Sequence, residues 1–188
     1  MPEKEASRAE SPIYSIGGLD AELRQSEIIS NLRQYVVDPT TGSAPFIDHS
    51  YSIILTQDCD LLWDYKSRAA DEPAVLNGVL VYEAETVDQF RPKLPGSDIW
   101  RRVQRNGDER YHFLEEVPTL ADLLGIGIPA LAIDFKRFFT IPAAEIERQC
   151  SGADGAKRRC RLETPYREHL QARAAFYFQR VMLPLPHV

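Results

Sequence analysis

The chain is defined first by what is scarce in it. Its 188 residues contain no apolar run near the roughly 18 residues that cross a bilayer, and the charged segment Met1 to Glu10 has no apolar signal region. Export and membrane insertion are therefore not expected. Cysteine is limited to three residues, Cys59, Cys150 and Cys160, with no close pair. An odd count without short spacings excludes a disulfide framework and points to a reducing, cytoplasmic setting. It also leaves no recognisable zinc motif, although Cys59, Cys150, Cys160 and one of His49 or His112 could be assembled on paper. No Gly-rich phosphate loop, nucleophile elbow or His-Glu-x-x-His helix is present. No metal or cofactor is expected. The balance of 22 basic against 28 acidic residues gives a net charge of −6, which excludes a general nucleic-acid coat. A local basic groove is still compatible with it.

What remains is ordinary globular material, with 44% apolar and 27% charged residues. Its length suits one domain over residues 13–188 behind a mobile polar tail over 1–12. The organising stretch is Tyr51 to Trp63, where Tyr51-Ser52-Ile53-Ile54-Leu55 reads as a buried strand ending in Thr56-Gln57-Asp58-Cys59-Asp60. Ahead of it, Leu19 to Asp38 favours strands before the turn-rich Asp38-Pro39-Thr40-Thr41-Gly42-Ser43. After it, residues 64–74 read as irregular, Val75 to Ala84 as a strand and Glu83 to Phe90 as a short helix. Trp100–Arg105 and Arg110–Leu114 flank Asn106-Gly107, the signal of a tight hairpin.

Thr119 is positioned to cap a short helix ended by Gly125. Leu131, Ile133, Phe135, Phe139 and Ile141 alternate along a strand with one apolar face, interrupted by Arg137. Pro142 opens a helix over Ala143 to Gln149, and residues 151–161 read as an exposed connector. A long helix spans 165–183, with Thr164 as cap and Tyr166, Leu170, Ala174, Tyr177 and Val181 along one stripe. Strands clustered before a terminal helix predict an α+β fold, here a small SH3-like, partly closed antiparallel barrel carrying that helix.

Two clusters carry the candidate chemistry. At the strand end, Thr56, Gln57, Asp58 and Asp60 form a polar rim. The carboxylates could cap turn amides, hold a divalent cation or act as a general base. In an extended segment Cys59 would point away from them as a small buried packing residue. Around Asn106-Gly107, Arg101, Arg102, Arg105 and Arg110 lie beside Trp100 and Tyr111, a pattern that fits either a solvated face or phosphate contact with base stacking. Lys157, Arg158, Arg159 and Arg161 crowd the connector.

Two segments carry a resemblance. Ile53 to Leu61, with Thr-Gln-Asp-Cys-Asp, and Pro165-Tyr166-Arg167-Glu168-His169-Leu170 through Arg180-Val181-Met182-Leu183-Pro184 are similar to a group of uncharacterised bacterial proteins, which implies no activity. More remotely, Arg24 to Ile29, Asp38 to Ser43 and His49-Ser50-Tyr51 resemble the opening strands of the MazF/PemK toxin barrels. That likeness implies an SH3-like barrel and RNA cleavage, but Ser50-Tyr51 stands where those toxins have Arg-Pro. The leading expectation is a bacterial accessory or binding protein without a complete catalytic set. Its rim at Thr56–Asp60 and the arginines Arg101 and Arg105 would bind a protein partner, a second copy or RNA. The alternatives are a MazF/PemK-like endoribonuclease using Arg101, Arg102 or Arg105 as the replacement cation, and a metal-dependent enzyme using Asp58 and Asp60.

Overall fold

The computed structural model describes residues 13–152 and 155–179. The expected tail over 1–12 and the helix end beyond 179 lie outside the described residues. The fold is α+β. Seven strands, β1 (Tyr14–Ser15), β2 (Glu27–Tyr35), β3 (Phe46–Ile54), β4 (Val79–Thr86), β5 (Tyr111–Leu114), β6 (Leu131–Ile141) and β7 (Lys157–Leu162), pair antiparallel in the order β1-β7-β2-β3-β4-β6-β5. The sheet runs from edge to edge without closing, so the expected barrel is replaced by an open, two-faced sheet. Five helices accompany it: α1 (Asp58–Ala69), α2 (Val87–Phe90), α3 (Ser97–Gln104), α4 (Ala143–Ser151) and α5 (Tyr166–Phe178). Among the described residues no helix is long and apolar enough to cross a membrane.

Neighbouring residues in a strand point to opposite faces, and the two faces have separate cores. Ile28, Ile53, Tyr82, Ile133 and Phe135 belong to one, closed by Leu170 and Ala174 of α5. Ile29, Ile54, Val81, Phe139 and Ile141 belong to the other, closed by Leu61 of α1 and Ile146 of α4. Strand β6 serves both. Its register with β4 jumps between Tyr82↔Phe138 and Ala84↔Ile133, so the apolar series seen in the sequence changes face across the bulge containing Arg137. The predicted single apolar face is thus two half-faces.

Three local expectations need correcting. The Asn106-Gly107 signal does not join two strands, because Ser97–Gln104 is helical. Trp100 and Val103, three apart, bury the inner side of that helix, and Asn106 at φ 52° ends it. The Asn106 side chain then pairs with both backbone groups of Phe113, accepting from its N–H at 2.6 Å and donating to its carbonyl at 3.0 Å. Residues 58–69, read as a turn and an irregular stretch, form α1, with Asp58 and Asp60 in its first turn where the helix dipole favours carboxylates. The supposed exposed connector contains β7, paired between β1 and β2. Its cations are partnered inward: Arg158 with the fully buried Glu27, and Arg159 with Asp122 at 2.7 Å.

Candidate functional site

The rim and the C-terminal motif meet in space. Asp58 accepts the Gln25 N–H at 2.8 Å through one oxygen and Arg167 Nη1 at 3.1 Å through the other. Arg24 Nε stands 3.7 Å away. The two resembling segments are therefore joined by one ion pair, which secures the first turn of α5 to the start of α1. The other rim residues do local work. Thr56 Oγ1 accepts the Leu80 N–H at 2.8 Å, and Gln57 occupies the position before α1 without a side-chain capping bond. Cys59 is exposed rather than buried, with its sulfur 3.7 Å from both Gln57 Oε1 and Asp60 Oδ1. Helical phase turns it outward, where an extended chain would have turned it in. With both oxygens of Asp58 engaged, the rim is a brace. Among the described residues, no group of three or more His, Cys, Asp or Glu is arranged to hold a metal ion.

The predicted arginines separate. Arg101 pairs with Asp98 on the exposed side of α3. Arg102 lies 3.6 Å from Asp108 and lines a broad cavity of about 800 Å³ with Arg110, Lys136, Tyr177 and Phe178. Arg110 is itself held by Asp134. Arg105 follows α3 and lines a smaller cleft of about 290 Å³ on the other side of the 104–110 loop. Arg173 of α5 fixes that loop from beneath, donating to the carbonyls of Asn106, Asp108 and Tyr111. No contact links Asp58 to Arg102, so the catalytic grouping of Asp58, Asp60 and Arg102 is not assembled.

The cleft beside Arg105 has the better chemistry. Gln104 and Arg105 supply one wall, His112 and Phe113 of β5 the floor, and Tyr166 and His169 of α5 the opposite wall. Tyr166 and His169 are three residues apart and so share a helix face, while Arg167 between them reaches back to Asp58. The brace therefore sets the wall of the cleft. His112 is only 3% exposed, and its Nδ1 makes no hydrogen bond. Its ring centre lies 5.6 Å from that of His169, edge to face. Burial, reinforced by the charge of Arg173 and by His169, pushes its pKa down to about 3. The imidazole is neutral at physiological pH and offers hydrogen bonds without charge.

Sequence reasoning reached Arg105 but missed the histidine pair. No spacing signals it, since His112 and His169 come from a strand and a helix brought together only by packing. The sole sequence hint is that His169 lies within the Pro-Tyr-Arg-Glu-x-Leu segment. No family model, curated protein or solved structure matches the chain.

Proposed function

We propose that the protein is a binding module whose recognition site is the α5 cleft, and that the cleft takes one nucleotide of single-stranded RNA. The observation that carries this reading is the buried, neutral, incompletely bonded His112 at the floor of a cleft with Arg105 at its wall. A base stacks against Tyr166 and His169, its polar edge meets His112, and the neighbouring phosphate meets Arg105. Such a site needs no basic molecule overall, because one or two phosphate contacts suffice, and the net charge of −6 keeps non-specific binding low.

Cleavage in the manner of the MazF/PemK toxins is the second reading, favoured by an arginine standing beside two histidines. The state of His112 weighs against it, because a proton-transfer group works best with a pKa near the operating pH. Fluorescence anisotropy with a 5′-labelled oligoadenylate, followed by a gel of the same samples, separates the two. Arg105→Ala and His169→Ala are each expected to weaken binding by about fivefold or more, Arg101→Ala is expected to change nothing, and the RNA is expected to stay intact. Unchanged affinity in Arg105→Ala and His169→Ala removes the cleft from consideration. Cleavage that disappears in Arg105→Ala establishes the toxin-like reading instead.

A further inference from the structure

Strands β2 and β3 outrun their neighbours. Strand β7 pairs with β2 only as far as Ser30, and β4 pairs with β3 only from Tyr51 onward. Leu32–Tyr35 and Phe46–His49 therefore project as a two-stranded arm. At its tip Val36 N–H donates to the Pro45 carbonyl at 2.9 Å, which sets the phase of the antiparallel ladder. Gln34↔Ile47 and Leu32↔His49 exchange hydrogen bonds, while Arg33, Phe46 and Asp48 turn their backbone groups outward.

The two outer edges are treated differently. On the β2 side the carboxamide of Gln149, from α4, imitates a strand: its Oε1 accepts the Arg33 N–H at 2.9 Å and its Nε2 donates to the Arg33 carbonyl at 2.8 Å. That edge is closed. On the β3 side, among the described residues, nothing occupies the corresponding groups of Phe46 and Asp48. A cavity of about 390 Å³ lies there instead, where β3 and β4 diverge, between Asp48 and Ser50 on one side and Glu83 and Glu85 on the other. Arg137 and Lys93 complete it, each bonded to Glu85 and the former also to Glu83 at 2.8 Å. Three carboxylates face two cations, so the slot keeps a negative excess on a chain of net charge −6. Phe46 and Ile47, each half exposed, stand at its apolar end.

We infer that this slot is a docking site for an extended, basic segment of a partner protein, which joins the sheet by strand addition to the free edge of β3. Only a strand satisfies outward-facing N–H and C=O groups in alternation, and main-chain pairing supplies affinity while alternate side chains supply specificity. Here those side chains are an apolar one over Phe46 and a Lys or Arg among Asp48, Glu83 and Glu85. This inference is independent of the cleft at α5.

The test is amide hydrogen exchange, followed by NMR, with the capped peptide Val-Lys-Val-Arg-Val-Lys as probe. The amides of Phe46 and Asp48 are expected to exchange about tenfold more slowly or less when the peptide saturates. Neither a twin with Glu at the three basic positions nor one N-methylated on alternate residues should protect them. Asp48→Pro deletes the outward N–H at an edge where proline is tolerated, and Glu85→Arg reverses the charge while leaving the backbone edge intact. Both are expected to abolish the effect. Unaltered exchange at saturating basic peptide, or equal protection by the acidic twin, overturns the proposal. Protection that rises with protein concentration in the absence of peptide overturns it too, by assigning the edge to a second copy of the chain.

Discussion

A histidine held neutral in a protein interior ties stability to pH. The folded state holds His112 with a pKa lowered to about 3, whereas an unfolded chain returns it to about 6.5. Between those values the unfolded state binds a proton that the folded state refuses, so stability is full above pH 6.5 and declines as the solution is acidified towards pH 3. The upper limit of that loss is about 5 kcal/mol. Urea unfolding at pH 7, 6, 5 and 4 should show this slope, and His112→Gln should flatten it; a slope identical in the two proteins would show that other groups are responsible. At this scale the sequence was partly legible. Asp58 and Arg167 both lie in segments that stood out by residue type, and they do touch. The burial of Cys59 was misjudged because the backbone period was wrong: the same residue faces inward in a strand and outward in the first turn of α1.

Elements in this protein are held by buried ion pairs placed under loops. Asp122 is the clearest case. Its carboxylate receives Arg159 through two bonds of 2.7 Å and the N–H groups of Leu124, Ile126 and Gly127. Burial would raise its pKa, but the Arg159 and backbone hydrogen bonds outweigh it and hold the group below the usual carboxylate range. The loop so fixed presents Leu120, Leu123, Leu124 and Ile126 to solvent. Asp122→Ala leaves the guanidinium of Arg159 buried without its anion, and a loss of about 3–5 kcal/mol is expected, read as a lowered denaturant midpoint. A loss under about 1 kcal/mol would place the pair at an effectively hydrated site. The same pair explains why β7 was hard to read. Lys157, Arg158, Arg159 and Arg161 look like a solvated run because their partners, Glu27 and Asp122 among them, are distant in sequence. Elements with local signals were read well: β6 and α4 are where alternation and Pro142 placed them, and the described part of α5 is where its stripe placed it. The Asn-Gly signal misled because a positive φ ends a helix as readily as it turns a hairpin.

At the scale of the whole molecule, one sheet separates two cores and must be present for either to exist. Strand pairing reaches from β1 to β5 without interruption, so unfolding is expected to be a single cooperative transition. Two reporters check this. Trp100 is buried and Trp63 is 70% exposed, so the change in tryptophan fluorescence follows the packing around α3, while far-ultraviolet dichroism follows the whole backbone. Coincident curves are expected, and separated midpoints would show that the region around α3 and β5 melts independently. The class of the fold was legible because strands and helices have distinct periods. Closure was not, since it depends on strand tilt and pairing partners that periodicity does not encode.

The position of α5 in the chain has one more consequence. It follows every strand, yet Leu170 and Ala174 close the core that Ile28, Ile53 and Ile133 begin. During synthesis, therefore, that face of the sheet stands open to solvent until the helix emerges, and Arg167 cannot reach Asp58 before then. A newborn chain must keep a broad apolar surface from other chains for the whole of that interval. Its aggregation in a cell would accordingly depend on how fast the last helix is made, even where the finished protein is stable.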